Sequence, residues 1–218
     1  MLSRSKSVIF MLLFTLLGMQ GFTQKITPFS TWSHNDLRIA NKGKSFKELS
    51  FQEKKVIFYI NLARMNGELF AATYLKDYME DVKVPKNKYY RSLIKTFKEQ
   101  PRMEPLIPKE DLIKECIHHA KEMGRIGKKG HRSSDAKSFA ERIKKFKKNY
   151  AKIKESNQYG YPDALSIVVD LLIDDDQESL RHRKMLLDPT LEFIGVGIRN
   201  HKKYRINTSI LLANQLKN

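Results

Sequence analysis

Asp174-Asp175-Asp176-Gln177-Glu178-Ser179-Leu180-Arg181-His182-Arg183-Lys184-Met185-Leu186-Leu187-Asp188-Pro189 is followed, one residue on, by Leu191-Glu192-Phe193-Ile194-Gly195-Val196-Gly197-Ile198. An acidic end, a short basic helix, a proline stop and a glycine-punctuated strand succeed one another with almost no spacer. Ser179 is placed to cap the helix N-terminus, and Asp188-Pro189 to end it. In the strand, Ile194, Val196 and Ile198 share one face, and Gly195 and Gly197 share the other. Two glycines on one face leave a bare stripe, where another backbone or a ligand comes close. His182 is then expected on a helix beside a strand with one empty face.

The apolar content, 41% of 218 residues, is enough for one domain with its own core. The net charge of +17 raises the question of anionic partners. It is spread along the chain, and its densest run, Lys144-Lys145-Phe146-Lys147-Lys148, reads as a solvated helix face and not a nucleic-acid patch.

The N-terminus carries Arg4 and Lys6 without an acid, then an apolar run from Val8 to Leu17, then Gly18, Gly21 and Gln24. This is the order of a secretory signal. The run is short of the roughly 20 apolar residues that span a bilayer. Residues 1–24 are therefore expected to be cleaved, leaving a secreted or periplasmic protein with no transmembrane anchor. Cys116 is the sole cysteine, so no intramolecular disulfide forms and no cysteine-rich zinc module exists. It falls in an apolar helical pattern, as a small buried hydrophobe would.

Residues 25–49 read as an irregular arm that packs at its aromatic end through Trp32. The domain proper is expected over 50–218. Glu53 to Glu80 has helical spacing, with a break at Asn66-Gly67. Tyr89 to Gln100 is a second, basic helix. Lys109 to Met123 is the cleanest amphipathic helix, with Leu112, Cys116, Ala120 and Met123 in one stripe. Ser133-Ser134-Asp135 offers a cap for a helix from Ala136 to Phe146. Glu155 to Gly160 is read as a polar loop. Asp163 to Ile173 is apolar almost all round, as a buried helix is. Tyr204 to Leu212 alternates like a strand, pairing antiparallel with the glycine strand. Late strands among many helices point to α+β, with helices covering a small antiparallel sheet.

Of the six histidines, His34 and His201 sit in polar connectors and read as incidental. His118 and His119 read as exposed positions on the amphipathic helix, and no His-Glu-x-x-His arrangement accompanies them. His131 and His182 each lie at a loop–helix boundary beside arginine. Glu155 and Asp174 fall between them. These four side chains have two possible uses. They could close on one divalent metal ion, zinc being the ion imidazole favours. Alternatively, the carboxylates could hold the imidazoles as general bases.

From about Glu53 onward the chain resembles the CAP superfamily (cysteine-rich secretory, antigen five and pathogenesis-related proteins) in its bacterial SCP-domain form. The pieces that carry the resemblance come in the family's order. They are Ile60-Asn61-Leu62-Ala63-Arg64, Met103-Glu104-Pro105-Leu106, Gly130-His131-Arg132-Ser133, Glu155-Ser156 with Tyr159-Gly160, and the block from Leu180 to Gly197. The resemblance implies an α-β-α sandwich with a central cavity lined by two histidines and two acids, able to bind a divalent cation. Carried over by motif, those residues are His131, Glu155, Asp174 and His182. The chain departs from the pattern at Ser156 (usually asparagine), at Arg181 (commonly glycine) and near Leu171, where the family has tryptophan.

Three functions are open at this stage. One is a ligand-binding module whose cleft, lined by His131, Glu155, His182, Gly195 and Gly197, takes a small apolar or envelope-derived ligand, with or without a metal. The second is a hydrolase of ester or peptide bonds using His131, Glu155 and His182. The third is a basic protein held on anionic cell-wall polymers.

Overall fold

The computed structural model describes residues 31–83, 85–175 and 178–216. The expected signal segment, 1–24, lies outside the described residues. Within the expected irregular arm, residues 34–40 form a helix instead: α1, His34–Ala40, capped by Ser33, whose Oγ accepts from Asp36 N. The aromatic anchor of that arm is buried, and Trp32 Nε1 donates to Thr73 Oγ1 at 3.2 Å.

Helix α2 (Phe51–Met65) opens with a capping box in which the Ser50 hydroxyl and the Glu53 carboxylate satisfy each other's backbone N–H groups. It ends at Asn66, whose side chain caps the next turn, α3 (Gly67–Phe70). A π-turn at Ala71–Leu75 leads into α4 (Lys76–Val82). The break at Asn66-Gly67 is where the sequence places it. Helix α5 spans Lys88–Glu99, and the two-residue strand β1 (Ile107–Pro108) precedes α6 (Glu110–Ile126).

The segment after α6 departs from the expected helix over 136–146. A one-turn helix α7 (Phe139–Arg142), capped by Ser138, is followed by a 3-10 turn at Lys144–Phe146. Ser133 and Ser134 cannot cap, because their hydroxyls are engaged by Asp135 and Glu122. Ala136 stands at φ 66°, a left-handed conformation no α-helix contains. The lysines of the 144–148 run are exposed and Phe146 is buried, as a solvated face with one anchor requires.

Strand β2 (Tyr150–Tyr159) occupies what reads as a polar loop. Helix α8 (Ala164–Ile173), capped by Asp163, is buried as its composition demands. Then come α9 (Arg181–Leu186), β3 (Phe193–His201) and β4 (Arg205–Gln215). The sheet order is β1-β3-β4-β2, with β1 parallel to β3 and the other pairs antiparallel.

The register assigns the two faces. Leu211 of β4 pairs with Glu155 on one side and Gly195 on the other, and Ser209 with Asn157 and Gly197, so these residues share one face. Helix α6 packs on that face. A Cβ on Gly195 would lie 2.3 Å from the carbonyl carbon of Leu112, and one on Gly197 would lie 2.5 Å from that of Cys116. The bare stripe is therefore filled by helix backbone and leaves no floor for a ligand at Gly195 or Gly197. The opposite face carries Ile194, Val196, Ile210 and Leu212, which join α2 and α8 in the main core. The result is an α-β-α sandwich of the α+β class, with Leu112, Cys116, Phe146 and Leu211 in a smaller second core on the α6 side.

Candidate functional site

His131 is held by a loop that is fastened at nearly every residue. Gly127 closes α6 with φ 72°, its N–H donating to Met123 O. Lys202 N donates to Gly124 O, and His201 Nε2 lies 3.0 Å from Lys128 O. His201 Nδ1 accepts from the backbone N–H groups of Lys203 and Tyr204, so its proton is on Nε2 and donates to that carbonyl. His201 is thus a buried clamp between the β3–β4 turn and the His131 loop, not an incidental connector residue. Gly130 N donates to Tyr159 Oη at 2.8 Å.

His119, expected on an exposed helix face, is buried instead, with its Nε2 3.1 Å from Gly130 O. Helical spacing puts position 119 on the flank of the α6 stripe. The loop folds over that flank and supplies the carbonyl a buried imidazole needs. Burial is the main reason its pKa is lowered, Glu155 pulling it back up and Arg142 lowering it further. His118 remains exposed, as its spacing implies.

His131 Nδ1 meets Glu155 Oε1 at 2.8 Å. Glu155 is in turn held by Arg142, whose guanidinium reaches Glu155 Oε2 at 2.9 Å, Glu115 Oε1 at 3.1 Å and His131 O at 2.8 Å. Asn157 Nδ2 donates to Gly130 O and to Glu155 Oε1, each at 3.2 Å. Burial raises the Glu155 pKa, but the His131 hydrogen bond and the charges of Arg142, His119 and His131 outweigh it and leave it lowered. Arg142 and Asn157 belong to this constellation, and sequence reasoning missed both. The Glu-x-Asn spacing within a strand was the available signal, hidden by reading 155–160 as a loop.

A second pair mirrors the first. His182 Nδ1 meets Asp174 Oδ1 at 2.8 Å, while Asp174 Oδ2 accepts from His182 N at 2.9 Å and Arg183 N at 3.2 Å. Asp174, not Ser179, therefore caps α9. Leu180, at the cap position, is left-handed at φ 52° and offers no side-chain bond. Asp174 itself stands at φ 56°, where α8 ends. Arg183 is buried and donates to Leu172 O, Ile173 O and Tyr89 O, which fixes the α8–α9 connection. The family-like Asn61 and Arg64 of α2 are structural pins. Asn61 binds Ala40 O and both backbone groups of Leu106. Arg64 donates to Leu186 O, Asp188 O and Leu191 O, anchoring the chain just after α9.

The two pairs flank edge strand β2. A cleft of about 410 Å³ opens at its end, lined by Asn157, Gln158, Tyr159, Tyr161 and His182 among others. Asn157 is the link, since it touches His131 and faces the cleft that His182 lines. The structure thus gathers His131 with Glu155 and His182 with Asp174, but not all four around one point. Among the described residues no three His, Cys, Asp or Glu side chains gather where they could hold a metal ion. Each carboxylate is spent on an Nδ1, so a four-ligand cage does not fit. What fits metal chemistry is the outer nitrogen of each imidazole, the usual role of a histidine whose other nitrogen is held by a carboxylate.

The model of the CAP family, described as the cysteine-rich secretory protein family, matches residues 33–210. The chain belongs to the CAP family. Helix α1 and the start of α2 thus fall inside the CAP match. Comparison with curated proteins finds no match. Among solved structures, an extracellular SCP-domain protein of Bacillus anthracis aligns at 18% identity and TM-score 0.43 over 52% of this chain and 35% of its own. This CAP chain spans about a third of that protein. An outer surface protein of Borrelia burgdorferi aligns at 15% and 0.45, over 61% of this chain and 97% of its own. Venom allergen-like protein 4 of Schistosoma mansoni aligns at 14% and 0.46, over 78% and 92%.

Among the described residues no helix is long and apolar enough to cross a membrane.

Proposed function

We propose that this is an exported CAP-domain protein whose cleft at the end of β2 binds a small ligand, with His182 as a fixed polar contact in its wall and His131 joined to it through Asn157. The observation that carries the reading is the paired geometry. Each imidazole has its Nδ1 locked 2.8 Å from a carboxylate whose own side chain is buried. With the proton on Nδ1, Nε2 presents a lone pair, and neither Nε2 has a hydrogen-bond partner among the described residues. The same two nitrogens are the ligands this chain offers to zinc. The lining residues Asn157, Gln158, Tyr161 and Asp175 make the cleft polar, which moves the expected ligand away from the apolar class.

Zinc titration of the mature protein followed by ¹⁵N imidazole resonances tests the reading. The expected result is a shift of both Nε2 signals, lost in His131→Ala/His182→Ala. Unchanged zinc affinity in the double variant overturns it. Export is tested by the N-terminal mass of the protein recovered from an expressing host, with cleavage expected near Gln24.

The exposed lysines of 144–148 favour a second, compatible reading in which the basic surface retains the protein on anionic wall polymers. Elution with rising salt, indifferent to the histidine substitutions, is its expected signature. The hydrolase reading has no support from Ser133 or Ser134, whose hydroxyls are bound to carboxylates and not to His131.

A further inference from the structure

Helix α6 meets the end of β3 at Gly124. A Cβ there would lie 2.0 Å from Asn200 O, and Lys202 N donates to Gly124 O at 3.0 Å. Only a residue without a side chain admits that approach. It sets Lys121 and Arg125, one turn apart on α6, against Arg199 and Lys202 at the end of β3. A cleft of about 510 Å³ lies between the two elements, lined by these four cations with Asn200 and His201. Among the described residues no acid lines it.

Three of the four cations are unspent. Lys121, Arg125 and Lys202 are exposed, and none of their side chains has an ion-pair, hydrogen-bond or ring partner among the described residues. Glu122, next to Lys121 in the chain, is turned to Ser134 instead. Arg199 is held at one nitrogen. Its Nη1 donates to the buried Glu53 carboxylate at 2.7 Å and to Ile198 O at 2.6 Å. Its Nε and Nη2 have no hydrogen-bond partner among the described residues, so the guanidinium is fixed in place with donors open. His201 spends both ring nitrogens on backbone groups.

Like charges one turn apart destabilise a helix. The C-terminal dipole of α6 favours a cation in the last turn, which Arg125 supplies, but it asks for none at Lys121 or Lys202. No ion pair in the fold offsets the repulsion among these three. The cleft that Lys137, Lys144 and Lys145 line is different, because Glu115, Glu122, Asp135 and Glu141 line it too.

Resting on the basic-surface reading above, we infer that the cleft between α6 and the end of β3 binds the multiply charged phosphate group of a soluble ligand. Guanidinium forks match phosphate oxygens. A phosphate monoester carries about −1.5 to −2 at pH 7, so it answers several cations where a carboxylate answers one. No exposed large hydrophobic residue lines the cleft, so nothing in its wall enters a membrane.

The test titrates inorganic pyrophosphate into the mature protein at low salt. The backbone amides of Lys121, Arg125 and Lys202 and the Arg199 Nε signal are followed by NMR. These signals are expected to shift together, with pyrophosphate bound about tenfold or more tighter than acetate. Arg125→Gln/Lys202→Gln is expected to weaken pyrophosphate about tenfold or more. Lys95→Gln/Lys98→Gln, exposed on α5, removes the same charge and is expected to leave pyrophosphate binding unchanged. Equal weakening by the two double variants, or acetate bound as tightly as pyrophosphate, overturns the site. Phosphatidylglycerol vesicles separate a lipid headgroup from a soluble phosphate. The two double variants are expected to lose vesicle binding equally, and a loss confined to Arg125→Gln/Lys202→Gln overturns the soluble ligand. Salt-sensitive retention on poly(glycerol phosphate) without shifts at the cleft removes the site alone. The absence of both removes the basic-surface reading with it.

Discussion

The guanidinium of Arg142 lies 2.9 Å from the Glu155 carboxylate, and both side chains are buried. The same Arg142 bonds the backbone carbonyl of His131, so one cation sets both the acid and the loop on which the imidazole depends. Its second terminal nitrogen reaches the buried Glu115.

Removing that cation leaves two carboxylates buried without it. Arg142→Met is expected to cost about 3–5 kcal/mol of stability, the scale for breaking a buried pair from one side. Adding Glu155→Gln is expected to recover part of the loss, because the stranded charge goes with it. Urea unfolding of the single and double variants measures both, and strict additivity would contradict the coupling.

Asp174 carries two duties, capping α9 and holding His182. Asp174→Ala is expected to lower stability by about 1–2 kcal/mol through the lost cap. It is also expected to weaken zinc binding about 10–100-fold through the lost partner on Nδ1. Ser179→Ala, by contrast, is expected to leave stability unchanged, since α9 takes no bond from that hydroxyl in its cap. Denaturation and zinc titration of the two variants distinguish these roles.

Acid is expected to destabilise the protein in two windows. The His119 pKa is lowered, chiefly by burial, so its folded form resists a proton that the unfolded chain accepts. Its contribution is therefore complete above about pH 6.5 and lost as pH falls below that. The Asp188 pKa lies well below the carboxylate range. Burial raises it, but hydrogen bonds from Thr190, Lys154 and Lys152 outweigh that. Its contribution is complete above about pH 4 and lost at lower pH. Stability measured from pH 8 to 3 is expected to flatten above pH 5 in His119→Gln and below pH 4 in Asp188→Asn.

Gly197→Ala is expected to destabilise the fold by about 1–3 kcal/mol. The added methyl would sit 2.5 Å from the backbone of Cys116 and Ile117, so β3 and α6 must separate. A lower urea midpoint with an unchanged slope is the expected signature. An unchanged midpoint would contradict the close approach of β3 to α6 at this position.

The sequence by itself determined the elements with a strong period. The α6 stripe, the buried α8, the break at Asn66-Gly67 and the β3–β4 pairing are all visible in side-chain spacing, because that spacing reports one-sided burial. It also selected His131, Glu155, Asp174 and His182. Tertiary structure alone decided how those four are used. Strand β2 escaped the reading because both its faces are polar, with Glu155 and Asn157 turned to Arg142 and His131, and Ser156 and Gln158 buried on the other side. The glycine stripe pointed to a close neighbour but could not say that it was α6 backbone. Periodicity encodes which face is buried, whereas the partner of a buried charge or an empty stripe comes from distant parts of the chain. Only folding brings Arg142 to Glu155, the Gly130 carbonyl to His119, and α6 onto Gly195 and Gly197.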